Sequence, residues 1–387
     1  MIRESLAAPI GTPRLRELAK GKNKITLVTS DHTRAVPSRI TLPLLAELRE
    51  GVPDAEITLF IATGLHRKTT ETEQHRMFGD EIVERERIVV NEAFVQEDFS
   101  HVCSLPSGAA LYVNKAVLDC DLLLCEGFIE PHFFAGFSGG RKSILPGSYN
   151  ASTVNENHSY RAVASPFAKA GVLSRNPIHE DMVYAARRVN VQFILNVALN
   201  GKKEVIGAFC GDLEQAHEAG VAFVRSLSQQ DSVMGDIVVT SNGGHPLDQN
   251  LYQSPKAATT AEACCREGGV IILCCSCSDG MGGDNFERLM LSGTPQEIDR
   301  YLASIHPRES ISEQWCVQTY ARILTHHRVI LVTTYLDHEL VRKANMIPVS
   351  TPDEALAIAR GIIGPATEVV VIPGGVAVIA MHREEQL

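Results

Sequence analysis

The sequence predicts an α/β protein of two domains, each a mainly parallel sheet flanked by helices, with the active site in the interdomain cleft. Strand candidates alternate with helix candidates along the whole chain, which is the pattern of βαβ units. The 387 residues are more than one hydrophobic core usually holds. Polar and glycine-rich loops follow the strands, and ligands of such sheets bind beyond the carboxyl ends of the strands.

The first domain is predicted over residues 1–230. Its candidate elements are the strand Lys24–Thr29, the helix Leu42–Arg49, the strand Ile57–Ala62, the helix Thr70–Phe78 and the apolar run Leu122–Leu124. Each strand candidate is rich in β-branched and aliphatic residues, as buried parallel strands are. We expect the polar stretch Ser226–Asp231 to be the hinge to the second domain.

The second domain is predicted over residues 231–365. Its candidate elements are the strand Ile237–Thr240, the helix Ala257–Glu267, the strand Val270–Cys275, the helices Pro295–Ser304 and Glu313–Thr325, and the strand Val329–Val332. A last run, Glu368–Ile372, is followed by Pro-Gly-Gly and Val376–Ile379. We expect this segment, residues 366–387, to return to the first domain as a strand.

Charge and hydropathy exclude several classes of protein. The formal net charge is −10 and no run is rich in lysine or arginine, which argues against nucleic acid or an anionic membrane as a main partner. No apolar stretch is long enough to span a bilayer. The first residues, Met-Ile-Arg-Glu-Ser, lack the basic and then apolar pattern of a secretory signal. We therefore expect a cytoplasmic protein.

The ten cysteines lie mostly in apolar, strand-like runs. In a cytoplasmic protein this indicates reduced, buried thiols. Five of them are close enough in sequence to suggest a thiolate metal cluster: Cys264, Cys265, Cys274, Cys275 and Cys277. They lack the paired C-x-x-C spacing of a zinc ribbon, so we favour core packing over metal binding.

The stretch Glu130–Lys142 is the most informative part of the chain. It reads Glu-Pro-His-Phe-Phe-Ala-Gly-Phe-Ser-Gly-Gly-Arg-Lys and follows an apolar strand. Glycines let backbone approach a ligand closely, and N–H groups at a helix start attract anions. Lys142 could pair with such an anion or react with a carbonyl carbon. Gly136–Ser143 nearly matches a nucleotide-phosphate loop, but Arg141 replaces its last glycine, which disfavours an ATPase.

Two histidines suit acid–base catalysis. His66 and His132 each lie in a glycine-bearing loop after a strand, and the ordinary pKa of histidine is near neutrality. A structural role is the alternative for both. His158, in Asn-Glu-Asn-His-Ser, is expected near a helix start, where it could cap the helix, lie at the surface or bind a metal.

Further polar residues are candidates for substrate binding. Arg34 could hold a carboxylate through two parallel hydrogen bonds, or form a surface ion pair. Asp31 could orient a histidine or cap a helix. Gln253 and Lys256 lie just before a predicted helix, where a purely structural role is equally common.

Together these motifs resemble one family. The segments that carry the resemblance are Ser30–Arg34, Ala62–Arg67, Glu126–Gly147, Asn157–His158, Asn242–Gly244 and Pro246–Gln253. In combination they are similar to the nickel-dependent lactate racemases over nearly the whole chain. One departure is at the N-terminus, since the family's chains carry a longer segment than the residues that precede Lys24 here.

The resemblance implies a nickel-pincer nucleotide, a pyridinium-3-thioamide-5-thiocarboxylic acid mononucleotide that holds Ni(II). It implies that Lys142 is joined covalently to this cofactor and that His158 is a nickel ligand, which suits the near-planar geometry of Ni(II). His66 and His132 match the acid–base pair. The implied substrate-binding residues are Arg34, Tyr252, Gln253, Lys256 and Trp315. We expect Ser138, Gly139, Gly140 and Asp31 to contact the cofactor.

The implied function is an isomerase that interconverts the enantiomers of a small 2-hydroxy acid, lactate above all. Hydride would pass from substrate to cofactor and back through a planar 2-keto acid, and separate enzymes would synthesise and load the cofactor. One alternative is an epimerase or racemase of a larger 2-hydroxy acid, such as a malate-like or sugar acid. Alternatives of another class are a pyridoxal phosphate enzyme with a Schiff base at Lys142 and a non-catalytic cofactor-binding protein.

Overall fold

The computed structural model describes residues 1–33, 40–364 and 367–381. It confirms the α/β class with mainly parallel sheets flanked by helices. The chain forms two compact units. The first consists of Met1–Glu130, Phe137–Asn157 and Val172–Leu227, and the second of Pro131–Gly136, His158–Gly171 and the chain from Ser228 onward. His132 and His158 therefore belong to the second unit, although they precede the predicted boundary at residue 230.

The first ten strands are short, as is usual for parallel sheets. They are β1 (Lys24–Ser30), β2 (Glu56–Ala62), β3 (Arg87–Val90), β4 (Phe99–Ser104), β5 (Ala110–Asn114), β6 (Leu122–Phe128), β7 (Pro131–His132), β8 (Gly136–Phe137), β9 (Val191–Leu199) and β10 (Val205–Gly211). Six of them form the sheet of the first unit, in the order β10-β9-β6-β1-β2-β3. All neighbours in this sheet are parallel except β10, which runs antiparallel to β9.

Helices cover this sheet. The helices of this part of the chain are α1 (Ile2–Ala7), α2 (Leu15–Leu18), α3 (Thr41–Gly51), α4 (Glu71–Phe78), α5 (Asp80–Arg85), α6 (Lys115–Leu118), α7 (Ala151–Asn157), α8 (Tyr160–Val163), α9 (Pro177–Arg188) and α10 (Gln215–Ser228). Leu44 and Leu48 of α3 join Leu27, Leu59 and Leu124 of the strands in one buried core. Each fully buried leucine contributes about 1.5–3 kcal/mol, which fixes α3 against β1, β2 and β6.

The second sheet is wholly parallel. The remaining strands are β11 (Gln229–Asp231), β12 (Gly235–Ser241), β13 (Cys265–Cys274), β14 (Arg328–Val332), β15 (Ile347–Val349), β16 (Val369–Ile372) and β17 (Ile379–Met381). Five of them pair in the order β15-β14-β13-β12-β16, and β11 pairs with β17. The expectation that residues 366–387 return to the first domain is not met by β16. It pairs with β12 from Ile237↔Val369 to Thr240↔Ile372, which adds an apolar edge strand to the second sheet.

Six α-helices follow α10 in the described residues. They are α11 (Pro255–Glu262), α12 (Asp284–Met290), α13 (Pro295–Ser304), α14 (Gln314–His326), α15 (His338–Lys343) and α16 (Pro352–Ile363). The sequence predicted three of them, α11, α13 and α14, one with a later end than it has. The predicted helix Ala257–Glu267 ends earlier, because β13 already begins at Cys265 and pairs with β12 there. No helix in the described ranges is both long and apolar enough to cross a membrane.

Candidate active site

Three polar loops of the first unit follow neighbouring parallel strands. Asp31 comes directly after β1, His66 lies in the loop after β2, and Lys142 lies in the loop after β6. The strands β2, β1 and β6 are adjacent in the sheet, and Ser30 pairs in register with Ala62. Loops that leave adjacent parallel strands at their carboxyl ends meet at one edge of the sheet, which brings the loops of Asp31 and His66 side by side.

Asp31 fixes the orientation of His66. Its Oδ2 is 2.6 Å from His66 Nδ1. Its Oδ1 accepts hydrogen bonds from the backbone N–H of Thr33 at 3.1 Å and from the Thr33 hydroxyl at 2.6 Å. The carboxylate is almost fully buried, whereas the imidazole is 30% exposed. A carboxylate at Nδ1 keeps the proton there in the neutral ring and leaves Nε2 with a lone pair, the form that accepts a proton.

The glycine-rich loop is held by hydrogen bonds within the protein. Ser138 donates its N–H to the carbonyl of Glu130, and its hydroxyl accepts the N–H of Glu130. Gly140 donates its N–H to Asn196 Oδ1 at 2.8 Å. A Cβ on Gly139 would lie 2.9 Å from a side-chain carbon of Ile129. Close packing inside the loop thus explains these glycines, and their contact with a cofactor stays a prediction.

Arg141 anchors this loop from the inside. Its side chain is fully buried. Nε donates to His179 Nδ1 at 3.0 Å, and one terminal nitrogen lies 2.9 Å from His217 Nε2 and 3.0 Å from the carbonyl of Gly139. Burial, together with the charge of Arg141, lowers the pKa of His179 to about 3 and that of His217 well below its usual value. Both rings are therefore neutral. His179 Nδ1 accepts the Nε–H of Arg141, and His217 Nε2 also lies 3.0 Å from the carbonyl of Ser138.

Lys142 follows this anchor in a short 3₁₀ helix, Gly140–Ser143. Its backbone N–H donates to the carbonyl of Gly139 at 3.1 Å, and its side chain is half-buried. The sequence analysis proposed Lys142 for the site but did not predict that Arg141 anchors its loop. The sequence carried one sign of this role: Arg141, a bulky cation, replaces the last glycine of the nucleotide-phosphate loop.

In the second unit a series of ring contacts brings together four of the predicted residues. The His132 ring stacks on Phe133 at 5.0 Å between centroids and meets the edge of Phe134 at 4.6 Å. Phe134 contacts His158 edge-on at 5.0 Å. His158 contacts Trp315 at 4.9 Å, and the indole N–H of Trp315 donates to the Tyr252 hydroxyl at 3.0 Å.

These rings give His158 an apolar environment. Phe134, His158 and Trp315 are each at most 6% exposed. A neutral imidazole is a good ligand for nickel, and such walls hold the ring in one orientation. The residues that the sequence proposed as acid–base group, metal ligand and pocket wall are thus neighbours in the fold.

Lys256 lies in the first turn of α11 and close to Cys316 of α14, the helix that also carries Trp315. Burial raises the pKa of the Cys316 thiol, and the positive charge of Lys256 opposes this shift. Gln253 is half-buried in the 3₁₀ helix that precedes α11. Arg34 lies outside the described residues, so its predicted contact with a carboxylate stays a prediction.

The cysteines of the second unit occupy packing positions. Cys264, Cys265, Cys275 and Cys277 are buried and Cys274 is half-buried. The Cys275 thiol is 3.3 Å from the carbonyl of Asp248. Within the described parts of the chain, no group of three or more histidine, cysteine or acidic side chains is arranged to hold a metal ion.

Two family models match the chain in succession. The lactate racemase N-terminal domain matches residues 1–171, and the lactate racemase C-terminal domain matches residues 230–380. The chain belongs to the lactate racemase family. The resemblance inferred from the motifs is confirmed, and the protein is accordingly an isomerase of the racemase kind.

Two lactate racemases are similar over nearly the full length. That of Thermoanaerobacterium thermosaccharolyticum is 46% identical over 385 residues, which cover 99% of this chain and 90% of the relative. That of Lactiplantibacillus plantarum is 45% identical over 380 residues, which cover 98% of this chain and 90% of the relative.

Solved structures agree with this assignment. The lactate racemase apoprotein from T. thermosaccharolyticum superimposes with a TM-score of 0.96 at 46% identity, covering 98% of this chain and 92% of that one. A Thermotoga maritima protein of 20% identity superimposes with a TM-score of 0.74, covering 97% of this chain and 96% of that one. At that identity the second similarity concerns the fold alone.

Proposed function

We propose that this member of the family racemises lactate, with a nickel-pincer nucleotide attached at Lys142. The observation that carries the proposal is the Asp31–His66 pair, which presents a basic imidazole nitrogen after β2. It occurs in a chain that is 46% and 45% identical to two lactate racemases over nearly their whole length. The substrate is inferred from these relatives, and the mechanism from the residues described above.

His66 acts on the hydroxyl proton of the substrate. The C2–H of a 2-hydroxy acid is very weakly acidic beside an ionised carboxylate, so an imidazole is a poor base for it. The hydroxyl proton is a better target, because its removal lets the C2 hydrogen leave with its electron pair. His66 Nε2 takes this proton while Asp31 stabilises the imidazolium that forms. When this enantiomer is the product instead, the same nitrogen returns a proton to the hydroxyl oxygen.

His132 supplies the complementary group. The backbone N–H of Ala135 lies 3.3 Å from His132 Nδ1, with Nδ1 as the acceptor. With Nδ1 engaged in this contact, Nε2 is the nitrogen left to exchange a proton with a ligand. Each enantiomer needs its own base on its own side, so one histidine takes the hydroxyl proton of the enantiomer consumed and the other, as an imidazolium, gives a proton to the enantiomer formed. His132 is 8% exposed, which limits competition from water.

Two residues fit the cofactor. Lys142 would hold it covalently, because its amine stands on a loop that the buried Arg141 keeps rigid. His158 would ligate nickel, because it is a buried imidazole held edge-on between Phe134 and Trp315. The described solved relative is an apoprotein, a protein without its cofactor. When bound, the group supplies the acceptor and donor for the C2 hydride.

The remaining predicted residues would hold the substrate. Lys256 supplies a positive charge for the carboxylate, and Gln253 an amide that donates and accepts hydrogen bonds. Tyr252 and Trp315, joined by their hydrogen bond of 3.0 Å, would form the pocket wall. Arg34 is proposed as a second partner of the carboxylate, from sequence alone. A carboxylate held at fixed points keeps a planar keto acid from escaping before it is reduced.

The proposal is tested with protein produced together with the cofactor-synthesis enzymes and nickel. We expect the intact mass to show an adduct that maps to Lys142, and chiral chromatography to show conversion of either lactate enantiomer to the racemate. Lys142→Arg should lack the adduct and the activity, whereas Lys115→Arg, a distant lysine, should retain both. Failure of a loaded wild-type protein to convert lactate would refute the substrate. An unmodified chain beside a loaded relative would refute the cofactor.

A further inference from the structure

Glu126 is a buried carboxyl group that the proposed reaction does not use. It lies in β6 and is 1% exposed. Its Oε1 accepts a hydrogen bond of 2.6 Å from the Thr29 hydroxyl and another of 2.8 Å from the Thr41 hydroxyl. Both threonines are at most 2% exposed. One carboxyl oxygen thus joins β1 to the first turn of α3.

A carboxyl group is an expensive choice at this position. Leu122 and Leu124 precede it at alternate positions of β6 and belong to the apolar core. Burial raises the pKa of Glu126, and its Oε2 has no hydrogen-bond partner among the described residues. Burying a polar group whose hydrogen bonds are incomplete destabilises a fold, and apolar residues of similar volume are often tolerated better. Stability alone therefore does not explain Glu126.

The position of its two partners suggests what Glu126 does. Thr29 is the last residue but one of β1, and Thr41 is the first residue of α3. They stand on either side of the loop in which Asp31 binds His66 Nδ1. Thr29 precedes Asp31 by only two residues, so a shift at Thr29 changes the distance between the carboxylate and the imidazole.

We infer that Glu126 is a positioning residue for the proton-transfer pair. By holding Thr29 and Thr41 on one oxygen, it fixes both ends of the loop and so keeps Asp31 in place to hold His66. The kinetic part of this inference rests on the proposed function, whereas the structural part concerns the protein without its cofactor and can be tested independently.

Two variants separate positioning from folding. Glu126→Gln keeps a side-chain oxygen that can accept both threonine hydroxyls. The triple variant Glu126→Leu, Thr29→Val, Thr41→Val removes all three polar groups together, so that none is left buried and unpaired. A matched control is Glu86→Gln, because Glu86 is also a buried carboxylate of the first unit and binds Arg49 through both oxygens at 2.9 and 2.7 Å.

The first readout is made on the protein without cofactor. Nitrogen chemical shifts of His66 in nuclear magnetic resonance report which ring nitrogen carries the proton. In the wild type and in Glu126→Gln we expect the Nδ1–H form, and in the triple variant a mixture of both tautomers. Backbone hydrogen exchange in residues 30–33 should be faster in the triple variant by about tenfold or more. Glu86→Gln should change neither quantity.

The second readout is kinetic. In the loaded enzyme, kcat of the triple variant should fall by about 10- to 100-fold through misplacement of the pair, with KM less affected. Glu126→Gln should stay within about threefold of the wild type, since less than one kcal/mol separates them on this account. A folded triple variant with wild-type His66 shifts and wild-type exchange would overturn the inference. An unchanged His66 tautomer and unchanged hydrogen exchange in the triple variant without cofactor would overturn the inference even if lactate proved not to be the substrate.

Discussion

Among single residues, His66 shows best how the fold sets chemistry. An isolated neutral imidazole exchanges its proton between the two ring nitrogens, and only one of the two forms presents a base at Nε2. Asp31 selects this form through its 2.6 Å contact with Nδ1, and Thr33 holds the carboxylate by two further hydrogen bonds. The basicity of one nitrogen therefore depends on a chain of three side chains.

Replacing Asp31 should remove this selection. In Asp31→Asn the amide can donate to Nδ1, which favours the tautomer with Nε2 protonated. We expect kcat to fall on the order of 100-fold or more, with the Lys142 adduct retained, as measured by lactate racemisation and intact mass. Asp80→Asn is the matched control, since Asp80 contacts His75 Nδ1 at 2.7 Å on the surface. An equal loss in both variants would argue against a catalytic role of the Asp31–His66 pair.

The two histidines beside Arg141 should make stability depend on pH. Their pKa values in the fold are far below the ordinary 6.5, so the unfolded chain binds more protons below that pH. Stability is complete above pH 6.5 and falls as the pH is lowered, by about 1.4 kcal/mol per pH unit for a fully buried ring such as His217. Denaturant unfolding between pH 7.5 and pH 5 measures the slope.

Two variants test which histidine causes this pH dependence of stability. His217→Gln should flatten it, because the variant lacks the group that takes up the proton on unfolding. His326→Gln should leave it unchanged, since the His326 side chain is 50% exposed. If His217→Gln kept the wild-type slope, the neutral histidine beside Arg141 would not be its source.

Among single residues, the sequence was most informative about those that lie directly after a predicted strand. Asp31 and His66 were both selected as candidates because each follows a predicted strand, and the two strands, β1 and β2, are adjacent in the fold. Arg141 could not be recognised as an internal support, because its partners His179 and His217 come from α9 and α10, far along the chain. Nothing in their local sequence distinguishes them from surface histidines.

Among the elements, the loop after β6 is the one whose shape matters most to Lys142. Gly139 has φ of +82°, a conformation that favours glycine. A Cβ there would also lie 3.0 Å from Asn196 Oδ1 and 3.1 Å from the carbonyl of Phe128. The loop therefore needs glycine for two reasons, backbone conformation and close approach.

A comparison of two glycine variants separates these reasons. Gly79 has nearly the same φ, +83°, and nothing lies within 4 Å of an added Cβ. Gly79→Ala should lose only the conformational part, about 1–3 kcal/mol. Gly139→Ala should lose about 1–3 kcal/mol more through overpacking, and its yield of Lys142 adduct should fall. Equal losses in thermal or denaturant unfolding would contradict the close approach.

Element boundaries followed the sequence where caps were clear. The helix Pro295–Ser304 was predicted with both ends correct, and Thr294 caps it with Glu297 in a reciprocal pair of hydrogen bonds. The end of α11 was predicted too late, because helix-forming residues after Glu262 are drawn into β13 by pairing with β12. β10 pairs antiparallel with β9. The hydrophobic periodicity of the sequence does not specify which strands pair or in which direction they run.

For the whole molecule, the residues predicted for the site are divided between the two units of the chain. Asp31, His66 and Lys142 belong to the first, and His132 and His158 to the second. His132 and His158 lie in two short segments, Pro131–Gly136 and His158–Gly171. These segments belong to the second unit, although the residues on either side of them in the sequence belong to the first. Local sequence patterns could not predict that these two segments belong to the second unit, because this depends on tertiary packing.

The most direct test of the central claim follows the C2 hydrogen itself. L-lactate labelled with deuterium at C2 is converted by the loaded protein in ordinary water, and the D-lactate formed is examined by mass spectrometry. Hydride that leaves and returns without exchange predicts that D-lactate keeps its deuterium. Replacement of the label by protium would show removal of C2–H as a proton and would contradict the account, as would the absence of any D-lactate.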